Sequence, residues 1–303
     1  MSHNKSLYAS ALLMLLPALI TGCGIDKRPD PAAIEKEPPL YLQVAAKDMQ
    51  WNEPVAPTKI VGPIYSVGTK GLNAFLITTP DGLVLINTAM PPAAKLIDGS
   101  IRQLGFRPED IKLLLASDAH IDHVGAHAYF KKISGAQVAM MGPDVPTLET
   151  GGKADFLYGS FKDYGFTPVK VDRTLYDHEV IRFGGLAITA LLTPGHTKGS
   201  TTFVMDISDG GKTYNVVFPA ETEILPGYHL VRQPSYPSIY NDYLWTFDVL
   251  DSLKPDVWLP AHNDDSLARK SAWANPEGYH NWVAAQRAAF GAAIKKETAA
   301  PAQ

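Results

Sequence analysis

A chain of 303 residues with 46% apolar and 19% charged content can bury one large core or two modest ones, which excludes disorder, collagen and coiled coil. Lys plus Arg number 27 against 31 Asp plus Glu, for a net charge of −4 with no basic block, so no nucleic-acid partner is expected. The single cysteine, Cys23, rules out an intramolecular disulfide and a thiolate-built zinc site, leaving His and carboxylate to hold any metal.

In chain order, residues 1–22 read as a secretory leader: Lys5 near the start, an apolar run from Leu7 to Ile20, then small residues. The run is shorter than the roughly 20 residues a helix needs to span a bilayer. Its ending, Ile20-Thr21-Gly22-Cys23, resembles the bacterial lipobox, which implies cleavage before Cys23 and acylation of the thiol. An ordinary cleaved leader with a chance cysteine is the alternative. Under the lipobox reading, Gly24 after the cysteine favours the outer membrane, and the only membrane contact is a lipid anchor on Cys23 of an otherwise periplasmic protein. Residues 23–50, rich in Pro and charge, form a tether and N-terminal arm. A single domain over 51–303 follows, with Trp51 packed on it or rimming its cleft.

Beyond Lys59, short β runs alternate with helices. KIVGPIYSVG, LNAFLITT and GLVLINT read as three strands with turns at Thr69-Lys70-Gly71 and Pro80-Asp81-Gly82. A helix over 92–104, a fully buried strand over 111–116 and a short helix over 126–132 come next. Strands over 179–183, 186–192, 201–207 and 214–219, a helix over 240–253, a strand over 257–260 and a last helix over 276–295 complete the order. Mixed sheets with outer helices imply an α/β fold, either a four-layer αββα sandwich or a doubly wound sheet.

Ser117-Asp118-Ala119-His120-Ile121-Asp122-His123 follows the buried strand directly and crowds four potential ligands into one loop. Imidazole and carboxylate suit zinc; a solvated polar turn is the bland alternative. Thr193-Pro194-Gly195-His196-Thr197 and Pro260-Ala261-His262 likewise end strands, each offering an imidazole beside Gly or Pro.

The order H-x-D-H, T-P-G-H-T, P-A-H resembles the metallo-β-lactamase superfamily. The arm from Trp51, the loop Gly151-Gly152-Lys153-Ala154-Asp155-Phe156, the stretch TPVKVDRTLYD and Leu225-Pro226-Gly227-Tyr228 are similar to the third subclass of true metallo-β-lactamases. The resemblance implies the αββα sandwich and a dizinc site between its sheets. It assigns one zinc to Asp118, His120 and His196, and the other to Asp122, His123 and His262. It further implies opening of the β-lactam amide of antibiotics by a metal-bound hydroxide that Asp122 orients.

One departure matters. The family usually has His where this chain has Asp118, and a shorter, charged carboxylate predicts a weaker first zinc. Three roles stay open for Asp118: direct ligand, a ligand place left to water, or acceptor for a histidine N–H. Aligning through Pro226-Gly227-Tyr228 puts Thr222 at the place of a family Ser and makes it the candidate donor to the substrate carboxylate. A one-residue shift would instead make Glu221 a bridging ligand, as in glyoxalase II or lactonase-like hydrolases. Tyr158 is a further cleft candidate. His127 reads as a core or surface histidine, with a supporting role behind the ligands as the alternative, His178 as a tolerated turn residue, and His229 and His280 have no ligand company; Trp282 and Phe290 read as core contacts. Rival readings are a thioester or lactone hydrolase on the same fold, and a zinc-binding protein whose site has decayed through Asp118.

Overall fold

The computed structural model describes residues 42, 46–263 and 273–299; the leader expected over 1–22 and the anchor expected at Cys23 lie outside the described residues. Two sheets stack between helices, an αββα sandwich. The first holds β1 (Thr58–Val61), β2 (Ile64–Ser66), β3 (Phe75–Thr79), β4 (Gly82–Ile86), β5 (Ile111–Leu115), β6 (Gln137–Met141) and β7 (Arg173–Leu175) in sequential order. The pairs from β1 to β4 are antiparallel and those from β4 to β7 parallel. The second holds β8 (Glu179–Phe183), β9 (Leu186–Leu192), β10 (Thr201–Asp209), β11 (Lys212–Phe218) and β12 (Val257–Trp258) in the order β12-β11-β10-β9-β8, antiparallel except for β11 with β12.

Strand composition explains the layering. In β4 to β6 nearly every residue is apolar, so alternate side chains serve two cores. Val84, Ile86, Leu113, Leu115, Ala139 and Met141 face the second sheet, where they meet Ile188, Phe203, Met205, Val216 and Phe218. Phe75 and Phe218 meet edge to face with ring centroids 5.2 Å apart. Leu83, Leu85, Leu114, Val138 and Met140 point the other way, onto Ile97 and Ile101 of α1 (Ala94–Gln103) and Phe130 of α3 (His127–Ser134), with α2 (Ile121–Val124) between them in the chain. The second sheet's outer face is covered by α5 (Ile239–Ser252) and α6 (Pro276–Ala299), which close Leu250, Tyr279 and Val283 over Val217 and Trp258. Burial of each such side chain contributes about 1.5–3 kcal/mol. The expected core contacts on α6 are both present, Phe290 in one cluster and Trp282 against another.

The segment expected as one strand, KIVGPIYSVG, is two. Gly62, at φ +49, reverses the chain ahead of Pro63, so that Val61 faces Ile64 across the turn. A Cβ there would lie 2.5 Å from Ile207 Cγ2, and the Gly62 N–H donates to Asp209 Oδ2 at 3.0 Å, which docks the turn on β10. β6 and β7 also went unanticipated; they carry a connecting turn, Gly142–Asp144, and the short α4 (Val145–Glu149).

Candidate metal centre

Three strand ends converge on one edge of the sandwich. β5 releases the chain into the loop holding Asp118 and His120, and α2 begins at once, placing Asp122 and His123 on its single turn. β9 ends at Leu192, and Gly195 turns the chain at φ +135 beneath His196. A Cβ at 195 would meet the Tyr243 ring at 2.8 Å, so glycine alone fits. After β12, His262 is fixed against the first sheet: the Asn73 N–H donates to Ala261 O at 2.7 Å, Asn73 Nδ2 donates to Pro260 O at 2.9 Å, and the Asn263 N–H donates to Gly71 O at 2.9 Å. The two sheets are tied beneath the site where the Thr201 N–H donates to Ser117 O at 2.7 Å.

The six expected side chains come together as two groups, Asp118 with His120 and His196, and Asp122 with His123 and His262. In each group one ligand-capable atom per residue lies within 4.8 Å of the others. His120 Nδ1 is 3.1 Å from His196 Nε2. In the second group Asp122 Oδ2 is 3.1 Å from His262 Nε2 and 3.4 Å from His123 Nε2, and the two imidazole nitrogens are 3.4 Å apart. A tetrahedral zinc site with bonds of about 2.0–2.1 Å has ligand–ligand edges of about 3.3 Å.

The histidine tautomers also fit a cation. His196 Nδ1–H donates to Glu223 O at 2.8 Å, and His120 Nε2–H to Asp155 Oδ2 at 3.3 Å. The remaining nitrogens, His196 Nε2 and His120 Nδ1, are left facing each other at the centre, where a bound cation would take a lone pair from each and replace any proton held on Nδ1. Burial opposes charge here, yet at Asp118, His120, Asp122 and His262 the fields of neighbouring groups prevail over it. His123 and the hydrogen-bonded His262 hold the Asp122 carboxyl far below the usual range, and the three imidazoles around Asp118 lower it too. Against the same burial, Asp155 lifts His120 to about 10, and Glu221 with Asp122 lifts His262 to about 10. For His196, burial and the neighbouring His120 lower the pKa. Among the described residues lining the cleft there is no Lys or Arg, so imidazoles are the only basic side chains facing its carboxylates.

The cleft over the two groups is walled by Leu42, Trp51, Ile121, Tyr164, Leu225 and the pair Glu221 and Glu223. Trp51 stands edge-on to His262 with centroids 5.4 Å apart, as its rim role required. The structure does not bring Thr222 to the cleft. It is buried, its Oγ1 has no hydrogen-bond partner, and the glutamates on either side face the opening instead. Along this extended loop the side chains alternate, so a register one residue off exchanges the inward residue for its neighbours. Tyr158 lies deeper than expected, in the chamber behind His120, where it stacks on Tyr164 at 4.2 Å and donates to Pro226 O at 2.6 Å. His127 is fully buried, its Nδ1 2.8 Å from Thr88 Oγ1, and burial pushes its pKa down to about 3. His178 occupies a left-handed turn at φ +60, while His229 and His280 are exposed.

Asp155 is the neighbour of His120 that sequence reading missed. Its Oδ1 accepts the N–H groups of Leu157, at 2.9 Å, and of Tyr158, which locks the carboxylate while Oδ2 holds His120. The only sequence signal was an acid just past a glycine pair.

An αββα sandwich with His and carboxylate donors gathered at one edge defines a metal-dependent hydrolase. Residues 67–262 match the metallo-β-lactamase superfamily model, and the chain belongs to that family. Among solved structures it is similar to the native FEZ-1 metallo-β-lactamase from Legionella gormanii, at 36% identity and a TM-score of 0.78 over 82% of this chain and 98% of that one. It is also similar to BJP-1, a subclass B3 metallo-β-lactamase of Bradyrhizobium japonicum, at 33% identity and a TM-score of 0.76 over 84% of this chain and 99% of that one. A hydroxyacylglutathione hydrolase of Rhodopseudomonas palustris is 27% identical over 180 residues, 59% of this chain. A probable metallo-hydrolase of Burkholderia pseudomallei is 27% identical over 124 residues, 40% of this chain. The chain spans 59% and 41% of the length of these two curated relatives.

Proposed function

We propose that the protein is a zinc-dependent β-lactamase holding two ions, one on Asp118, His120 and His196 and the other on Asp122, His123 and His262. The observation that carries the reading is the pair of three-donor groups at the floor of one cleft, in a chain 36% identical to FEZ-1 over 98% of that protein. When bound, zinc lowers the pKa of a coordinated water toward about 7 and serves as a Lewis acid to a carbonyl oxygen.

The chain's own residues supply the remainder. Asp122, fixed through Oδ2 by His123 and His262, is ionised at neutral pH and offers Oδ1 as acceptor to the attacking water. With so low a pKa it orients the water and keeps no proton, which passes on to the departing lactam nitrogen. Leu42, Trp51, Ile121 and Leu225 give the bicyclic lactam an apolar wall and exclude bulk water. Glu221 and Glu223 present charge at the place expected of a hydroxyl. An exported location, with Cys23 lipid-anchored to the outer membrane, would meet antibiotics as they enter the periplasm.

The test is hydrolysis of a carbapenem and a cephalosporin by the protein without its leader, lost on chelation and restored by zinc. The hydroxyacylglutathione hydrolase likeness and the cleft position of Glu221 favour thioester hydrolysis as the second reading. Turnover of a glutathione thioester with no lactam opening would transfer the assignment to it, and zinc uptake with neither activity would overturn both.

A further inference from the structure

Asp118 distinguishes this site, and its two oxygens face different ways. The carboxylate is fully buried. Oδ1 accepts the His120 backbone N–H at 2.9 Å and lies 3.8 Å from His120 Nδ1, on the side of the first group. Oδ2 accepts from Ser117 Oγ at 3.4 Å and lies 3.5 Å from His123 Nε2. That nitrogen belongs to the second group, and its separations from its own partners, Asp122 Oδ2 and His262 Nε2, are both 3.4 Å. Oδ2 is therefore nearly as close to that nitrogen, at 3.5 Å, as its own two partners are at 3.4 Å. An imidazole at position 118 would have one nitrogen to offer the centre, whereas a carboxylate has two oxygens.

We propose that Asp118 is a shared ligand, with Oδ1 serving the ion of His120 and His196 and Oδ2 serving the ion of Asp122, His123 and His262. The inference rests on reading both groups as ion sites but not on the identity of the substrate. Sharing changes what the replacement of histidine means: the first ion is not simply the weaker of two independent ions, because one carboxylate links the occupancies of both.

A crystal structure of the zinc-loaded protein tests this directly. The expected result is one Asp118 oxygen at about 2.0–2.2 Å from each of two ions; both oxygens on one ion, or neither on any, overturns it. In solution, competition with a chromophoric chelator gives the two zinc affinities. Asp118→Asn should weaken both by about tenfold or more, while His120→Ala weakens mainly the first and His262→Ala mainly the second. Asp118→Glu keeps the charge but displaces the oxygens, and should also weaken both. Loss confined to the first ion in the Asn variant, or full affinity in the Glu variant, counts against sharing. Zinc bound across Asp118 without lactam hydrolysis would remove the proposed substrate and leave this inference standing; no zinc at either group would remove both.

Discussion

Asp155 touches no candidate ion yet decides how His120 presents itself. Its Oδ2 takes the Nε2 proton, so Nδ1 is the nitrogen turned to the centre, and its Oδ1 is tied to the backbone of residues 157 and 158. A carboxylate behind a ligating imidazole fixes the ring and raises its basicity, and loss of such a partner costs about 10- to 100-fold in metal affinity or activity. Asp155→Asn should weaken the first zinc by that factor, leave the second near its original affinity, and recover part of its kcat in excess zinc. An unchanged first affinity would mean that packing alone orients His120. The six candidate donors were legible because each lies in a segment just past a strand, four of them crowded into residues 118–123 and the other two, His196 and His262, beside Gly or Pro, a local pattern. Asp155 was not, since its partner is 35 residues away and nothing local marks that meeting. The placement of Thr222 off the cleft lining was illegible for a related reason: no hydrophobic period runs through Ala220-Glu221-Thr222-Glu223 to say which side chain turns inward.

Among elements, the turn after β6 ties together two of the loops that carry the site. Asp144, buried at its end, accepts the Ala119 N–H at 3.1 Å and the Thr197 hydroxyl at 2.7 Å on Oδ2, and the Gly199 N–H at 2.8 Å on Oδ1. Ala119 lies between Asp118 and His120, and Thr197 follows His196, so one carboxylate clamps the two loops that carry the first group. Asp144→Ala would leave the buried Ala119 and Gly199 N–H groups without their acceptor and the Thr197 hydroxyl with Ser200 Oγ alone. At about 1–3 kcal/mol each for an unsatisfied group, partly relieved by entering water, a loss of about 3–5 kcal/mol is expected in urea unfolding. Asp144→Asn keeps one acceptor oxygen and should lose less. The first zinc should loosen in both variants more than the second, and equal loosening of the two would argue against the clamp. In sequence, Gly142-Pro143-Asp144 reads only as a turn, and QVAMM and RTL are too short for periodicity to mark β6 and β7. By contrast β4, β5 and β9 were readable from apolar runs with at most one polar residue and from their bounding Gly, Pro and Asp, and α5 from its mixed apolar and polar stretch ahead of Pro255.

At the scale of the molecule, each metal group draws on both sheets. Asp118, His120, Asp122 and His123 leave the end of β5 in the first sheet, whereas His196 and His262 leave β9 and β12 in the second. Strand order could not be read from the sequence, because hydrophobic alternation fixes which face of a strand is buried but not which strand lies beside it. The convergence of the three loops is a property of the assembled sandwich. Ions bound there would cross-link the sheets at one edge, while the Phe75–Phe218 core holds them elsewhere. A ligand that binds only the folded state stabilises it by about 2.7 kcal/mol at a hundredfold excess over Kd. Each kcal/mol moves Tm by about 2–4 °C at this size. Chelation should thus lower the melting temperature by about 5–10 °C per ion lost, as followed by circular dichroism, and zinc should restore it. Hydrogen exchange should show where the loss falls: loops 116–124, 193–197 and 259–263 should lose protection, and the inter-sheet strands should keep theirs. A melting temperature indifferent to chelator, or protection lost first from β3 and β11, would mean that the sandwich holds its open edge without the ions.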